Sequence, residues 1–282
     1  QTDPVRSHQI IDSVCNAKLM SPQRCDYYHA MVVFFGEDKP DSALVLCDRL
    51  LDAGEFGNDR FLEEEICELA SNISLEQQHY LATLKYANRG IALCHGDERM
   101  RSDEAMLMAR VGVAEQELGR IDRAQNIYAR AHQLLTVNTS FSDLIALISL
   151  QKKQARLYSE IKQYDMTISI CQQILDLLES FDHDPSFILQ RPETMQEPGT
   201  HEFTDFYRCQ IYCHIARAHH MKVKQGLSLD VKADTDAVRT YIEKFRHTDG
   251  AQSPDNLANC LPELYFLGEK TAFANAVPIV AE

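Results

Sequence analysis

Tryptophan is absent from this 282-residue chain, and glycine (11) and proline (9) are scarce. So few turn-formers exclude an all-β fold of many short strands. No run of about 18 apolar residues occurs, so no segment reads as a membrane-spanning helix. No basic-then-apolar leader opens the chain either. It starts at Gln1, which predicts a processed or trimmed product. Positive charge is also short: 28 Lys and Arg against 42 Asp and Glu give a formal net charge of −14. Nucleic acids and anionic membrane surfaces are held by Lys and Arg, so neither is an expected partner.

Catalytic spacings are missing as well. There is no HExxH, P-loop, GxGxxG or GxSxG. The nine cysteines (Cys15, Cys25, Cys47, Cys67, Cys94, Cys171, Cys209, Cys213 and Cys260) include no CxxC, which argues against a zinc ribbon or a thioredoxin-type site. Cys209, Cys213, His214, His219 and His220 crowd one helix. Cys209 and Cys213 could ligate together, but His214 and His220 are read as pointing elsewhere, so packed side chains rather than metal ligands are expected. Most cysteines fall on apolar helix faces, where they act as small hydrophobes. Their odd number and scatter read as a reducing compartment. Glu63-Glu64-Glu65 reads as a solvated helix face, because three consecutive residues cannot converge on one site. No catalytic residue, metal or cofactor is expected.

What the chain has in quantity is helical periodicity. The pattern predicts helices near 5–18, 22–36, 40–53, 58–72, 75–95, 103–118, 121–136, 141–161, 164–181, 203–225, 233–247 and 255–280, the last one broken. Ser21-Pro22 and Ser253-Pro254 each place a capping serine before a first-turn proline. Ser74-Leu75-Glu76-Gln77 reads as a capping box opening a helix. His201-Glu202-Phe203-Thr204-Asp205, faintly similar to a histidine-kinase phospho-acceptor box, reads as a helix start with Thr200 as its cap. Residues 182–202 hold three prolines and form an irregular connection of the length that is usually functional.

The clearest repeating unit is Ala105–Asn138. Gly112 sits where a close helix crossing needs a small residue. Leu118-Gly119-Arg120-Ile121 makes the turn, and Ala124, Tyr128 and Ala131 follow at offsets 0, 4 and 7. This segment resembles a tetratricopeptide repeat. Weaker copies occur at Arg24–Ala53, Ile148–Phe181 and Cys209–His247, with a degenerate pair around Ala82, Tyr86 and Arg89. The second-helix anchors Ala43, Ala82, Ala124 and Thr167 lie 39, 42 and 43 residues apart, longer than the family's period of about 34. An irregular helical bundle or a HEAT array is the alternative.

The resemblance implies an all-α, right-handed α–α superhelix of five to six antiparallel helix pairs. It would form a single solenoid over residues 1–282, and its apolar end predicts that the chain continues past Glu282. The resemblance also implies a groove lined by the first helix of each pair. Carried over by position, the groove-facing residues are Tyr28, Val32 and Phe35; Met106, Ala109, Val113 and Gln116; Lys152, Arg156 and Ser159; and Cys213, Arg217 and His220. One end of that groove is apolar and the other basic. Lys152 and Arg156, one turn apart, suit a carboxylate. The alternative is a solvated pair such as Arg156 with Glu160.

The expected function is non-catalytic binding of a protein or peptide, including one with an acidic group. Long irregular repeats of this style are similar to the sensor portions of membrane-bound signalling proteins (sensor kinases or transcriptional regulators) in Bacteroidetes-type bacteria. That similarity implies a periplasmic or extracytoplasmic location. A cytosolic adaptor, and an enzyme with residues 182–202 as a lid, are the other readings.

Overall fold

The computed structural model describes residues 3–57, 59–135, 140–183, 202–248, 251, 253–269, 272–274 and 277. The protein is all-α, with no strand among the described residues and packed neighbouring helix pairs throughout. No described helix is long and apolar enough to cross a membrane. The chain divides into two compact units, residues 1–138 and 139–282.

The first unit holds α1 (Pro4–Asn16), α2 (Pro22–Met31), α3 (Pro40–Ala53), α4 (Arg60–Glu76), α5 (Tyr80–Cys94), α6 (Arg101–Glu117) and α7 (Ile121–Leu135). Each helix packs on its sequence neighbours, and α4 also meets α2 and α6. The second unit holds α8 (Phe141–Glu160), α9 (Tyr164–His183), α10 (Glu202–Lys224), α11 (Val231–Arg246) and α12 (Pro254–Phe266). Here α9 packs on both α8 and α10, and α10 on both α11 and α12.

The helix starts follow from local chemistry. Ser21 accepts a hydrogen bond from the Arg24 N–H at 3.2 Å, and Ser253 one from the Asn256 N–H at 3.3 Å. Both caps are those read from the sequence. Ser74 is different: it lies fully buried in the last turn of α4, and the next helix starts at Tyr80. The Ser-x-x-Gln pattern marks a helix end here. The chain reverses through Gln77-Gln78-His79, with Gln78 at φ 60°. Thr200 and most of the 182–202 connection lie outside the described residues, as does most of the chain beyond Glu269.

That reversal recurs. Asp38, Gln78, Gly119 and Lys162 all have positive φ and are spaced 40, 41 and 43 residues apart. At three of them the same two backbone bonds close the preceding helix. Gly119 N–H donates to Gln116 O and Arg120 N–H to Glu115 O, at 2.9 and 2.8 Å. Gln78 with His79 and Lys162 with Gln163 repeat the pattern. This left-handed helix-ending turn satisfies carbonyls that would otherwise be orphaned.

Counting from the turn gives a frame. Seven residues before it lie Ser71, Gly112 and Ala155, all small and buried. They are small because the paired helix crosses there. Five, nine and twelve residues after the turn, every residue is buried: Ala43, Cys47 and Leu50; Thr83, Ala87 and Gly90; Ala124, Tyr128 and Ala131; Thr167, Cys171 and Ile174. The anchor of the second set is therefore Thr83. Ala82, the anchor read from the sequence, is only partly buried. Thr83 keeps its hydroxyl satisfied by donating to His79 O at 3.3 Å, and Thr167 donates to Ala155 O at the same distance.

Four cysteines pair, Cys15 with Cys25 and Cys213 with Cys260. The other five are free and buried. The expectation that cysteines act as small hydrophobes describes those five. The pairs run against the reduced compartment read from their scatter.

Candidate functional site

In the first unit, the groove positions of the first copy converge. Tyr28, Val32 and Phe35 line one apolar pocket of about 280 Å³ together with Pro4, Ser7 and Ile11 of α1. Val32–Gly36 winds as a single π turn that continues α2, and Phe35 stands 67% exposed. Helix α1 forms the pocket's other wall. It is held to α2 by the Cys15–Cys25 link and by a side-chain chain in which His8 Nδ1 meets His29 Nδ1 at 2.6 Å. Glu37 and Asp12 flank that pair at 3.2 Å each.

The positions on α6 divide. Met106 and Val113 are partly exposed. Ala109 is fully buried, and Gln116 is nearly so. Gln116 accepts the Tyr128 hydroxyl at 3.4 Å, so it supports the core rather than offering a surface.

In the second unit, Lys152 on α8 reaches α10, donating to Gln210 Oε1 and lying 5.3 Å from the centre of the Tyr207 ring. Burial pushes its ammonium below the usual lysine range. His214, one turn beyond Gln210, is pushed down to about 4, first by burial and then by the charges of Lys152 and Arg217. These three bases share one region. Arg156 does not join them. It is exposed and pairs with Glu160 at 2.7 Å, the arrangement weighed above as the solvated alternative. Such exposed pairs contribute little.

Arg217 and His220 serve the next helix. Arg217 donates to Asn259 O and approaches Glu263 at 3.6 Å. His220 is buried, 3.2 Å from the same Glu263 carboxylate, and stacks on Phe266 with ring centres 4.2 Å apart. With Cys213 bonded to Cys260, α12 covers the groove positions of the last copy.

His214 supplies a direct check. A buried imidazole with two cations nearby titrates near pH 4 in the folded protein, against about 6.5 in an unfolded chain. The unfolded chain therefore binds the extra proton in that window, and His214 costs the fold stability as pH falls from about 6.5 towards 4. Proton-detected imidazole NMR is expected to place its titration at least one unit below the 6.5 of an unperturbed histidine. Coincident titration would remove the basic cluster.

Among the described residues, no group of three or more His, Cys, Asp or Glu has the geometry to hold a metal ion. Burial pushes the thiols of Cys47, Cys67 and Cys171 up to about 12, far from a nucleophile's range.

One cluster escaped the sequence reading. Glu63, Glu64 and Glu65 are not a uniform solvated face. Glu63 pairs with Arg89 at 2.8 Å and Glu65 with Arg24 at 2.9 Å. Glu64 is 3% exposed. Counted from the Gln78 turn, Glu65 and Glu68 occupy the places that Met106 and Ala109 hold in the best copy, and Glu68 matches Lys152. Setting the second-copy anchor at Thr83 would have found them.

No protein-family profile matches this chain, and no curated protein matches it.

Proposed function

We propose that this chain is a non-catalytic binding module of tetratricopeptide type that holds a protein or peptide through the faces of its first helices. In this reading it is the ligand-sensing or protein-interaction part of a signal-transduction protein. The recurring turn, with small residues seven before it and buried ones after it, supports the family reading.

The observation that carries the binding reading is Lys152. Its ammonium is desolvated beside His214 and Arg217 and has no acidic partner among the described residues. An unpaired desolvated cation is costly, and an arriving carboxylate offsets that cost with a charge-assisted hydrogen bond. A peptide with a free terminal carboxylate therefore suits this place.

The test compares such a peptide with its C-terminal amide by calorimetry. Lys152→Ala is expected to weaken the acid about thirtyfold, the usual loss for truncating one side of a desolvated pair. Arg156→Ala is expected to change affinity less than about threefold, because it sits in an exposed pair. Equal binding of acid and amide would sink the reading.

The two cystine links favour an extracytoplasmic sensor over a cytosolic adaptor, since cystines persist where thiols are not kept reduced.

A further inference from the structure

We propose that the first unit carries a second binding site, between α4 and α6, for a primary alkylammonium group, with Glu64 and Asp103 as its ligands. Four carboxyls gather there: Glu64, Glu65 and Glu68 of α4 and Asp103 of α6. Two are already neutralised. Arg110 donates to Glu68 at 2.8 Å, and Arg24 to Glu65 at 2.9 Å. Glu64 and Asp103 have no ion pair among the described residues.

The independent sign is an orphan. Glu64 is 97% removed from solvent, and no donor reaches its Oε1. Beside it, Arg110 Nη1 is also buried without an acceptor. A buried carboxyl left unpaired costs about as much as a lost hydrogen bond or more, and native interiors rarely keep one without a ligand or water. The missing partner must donate hydrogen bonds to Glu64, and Asp103, the other carboxyl without an ion pair, favours a partner that carries positive charge. The spacing suits no metal ion. An ammonium brings three donors on a compact charge and meets both requirements.

Proton linkage follows. Glu64 is pushed up to about 8 by burial, then by Asp103, Glu68 and Glu65, with Arg110 opposing. From α5 it faces the buried Cys94 and from α2 the buried Tyr27, both raised first by burial and then by carboxyls that include Glu64. Below pH 8 the carboxyl is mostly protonated, so a cation must displace that proton to bind. Affinity rises with pH up to about 8, by at most about tenfold per unit for one released proton.

The experiment titrates the full chain with two amines, putrescine and the peptide acetyl-glycyl-lysyl-glycinamide. The Nε-acetylated peptide is the control. Saturable binding of either amine, strengthening from pH 6 to 8, is expected. Peptide binding alone identifies a lysine side chain as the source, and putrescine binding alone a free diamine. Glu64→Gln and Asp103→Asn are each expected to weaken binding about tenfold or more. Glu64→Gln keeps the fold, because the site already favours a neutral group, and Asp103→Asn is the second reporter. Glu63→Gln, on the Arg89 side, is expected to change nothing. Failure of both amines to bind, equal binding of the acetylated peptide, or full affinity in Glu64→Gln would overturn the proposal. None of these outcomes bears on Lys152, which lies in the other unit.

Discussion

Gly112→Ala is expected to destabilise the first unit by about 2 kcal/mol, although alanine is the better helix former. A Cβ built at Gly112 would stand 2.4 Å from Tyr128 Cε1 and 2.8 Å from Cδ1 and Cζ. Carbon atoms do not approach so closely, so the ring or the helix must move. The ring has nowhere to go: Tyr128 is fully buried, and its hydroxyl is tied to Gln116. Overpacking of this kind costs about 1–3 kcal/mol and sometimes more. The gain in helix propensity returns about 1 kcal/mol. The clash involves three atoms of a rigid side chain, so the net effect falls on the destabilising side. Gly90→Ala is the control. Its Cβ would meet mainly Leu107 Cδ1 at 2.7 Å, the far end of a flexible side chain, so it is expected to cost less. Urea unfolding of both variants measures the difference. Adding Tyr128→Leu to Gly112→Ala removes Cε1 and Cζ, so the double variant is expected to lose less than the sum of the singles. A Gly112→Ala protein as stable as the parent would mean that α6 and α7 do not cross closely at this point.

Gly112 was legible in the sequence because its signal is local: a glycine inside a helical pattern, a turn seven residues on, and a small–aromatic–small set beyond it. The ends of α3 and the starts of α7, α8 and α9 were legible for the same reason. The second copy was misread by one residue because the small Ala82 stands beside the true anchor Thr83 and no glycine marks the turn to decide between them. Gln78 takes up the left-handed conformation that Gly119 takes in the best copy, and glutamine gives no sign of it. Ser74 then looked like a cap, since Ser-x-x-Gln fits a helix start and a helix end equally well by spacing alone. The degenerate pair contributed no groove positions, so Glu65 and Glu68 stayed out of the groove row and the buried Glu64 read as part of a solvated face. Other features depend on partners far along the chain. Lys152 meets Gln210 across 58 residues, and Arg217 meets Asn259 across 42. No periodicity encodes which helix arrives to cover His220, so a position read as groove became a contact with α12.

Breaking the Cys213–Cys260 link is expected to cost the second unit about 4 kcal/mol. The link closes a loop of 47 residues, and in the chain-entropy treatment a loop of that length restricts the unfolded chain by roughly this amount. Cys15–Cys25 closes only 10 residues and is expected to contribute about 3 kcal/mol to the first unit by the same relation. Besides the link, α12 is held to α10 by polar contacts: Arg217 with Asn259 O, and His220 with Glu263. One Glu263 oxygen is buried without a partner, so releasing α12 returns part of that cost through hydration. The Cys213→Ser/Cys260→Ser variant is therefore expected to lose somewhat less than 4 kcal/mol, read as a lower denaturation midpoint with the far-ultraviolet helical signal retained at low denaturant. The parent protein, with all nine cysteines, allows a thiol count. Material folded under oxidising conditions and then denatured is expected to give five reactive thiols, the free cysteines Cys47, Cys67, Cys94, Cys171 and Cys209. Nine would remove the links, and with them the argument for an oxidising compartment. The compartment bears on binding as well. With α12 tethered, Arg217 is committed to Asn259 and Glu263, which leaves Lys152, beside Gln210, Tyr207 and His214, as the cation that meets an incoming carboxylate. With α12 released, Arg217 becomes a second cation for that carboxylate. The serine variant is therefore expected to bind the free-acid peptide more tightly than the parent does while being less stable. A destabilised variant with unchanged affinity would confine the link to a structural role.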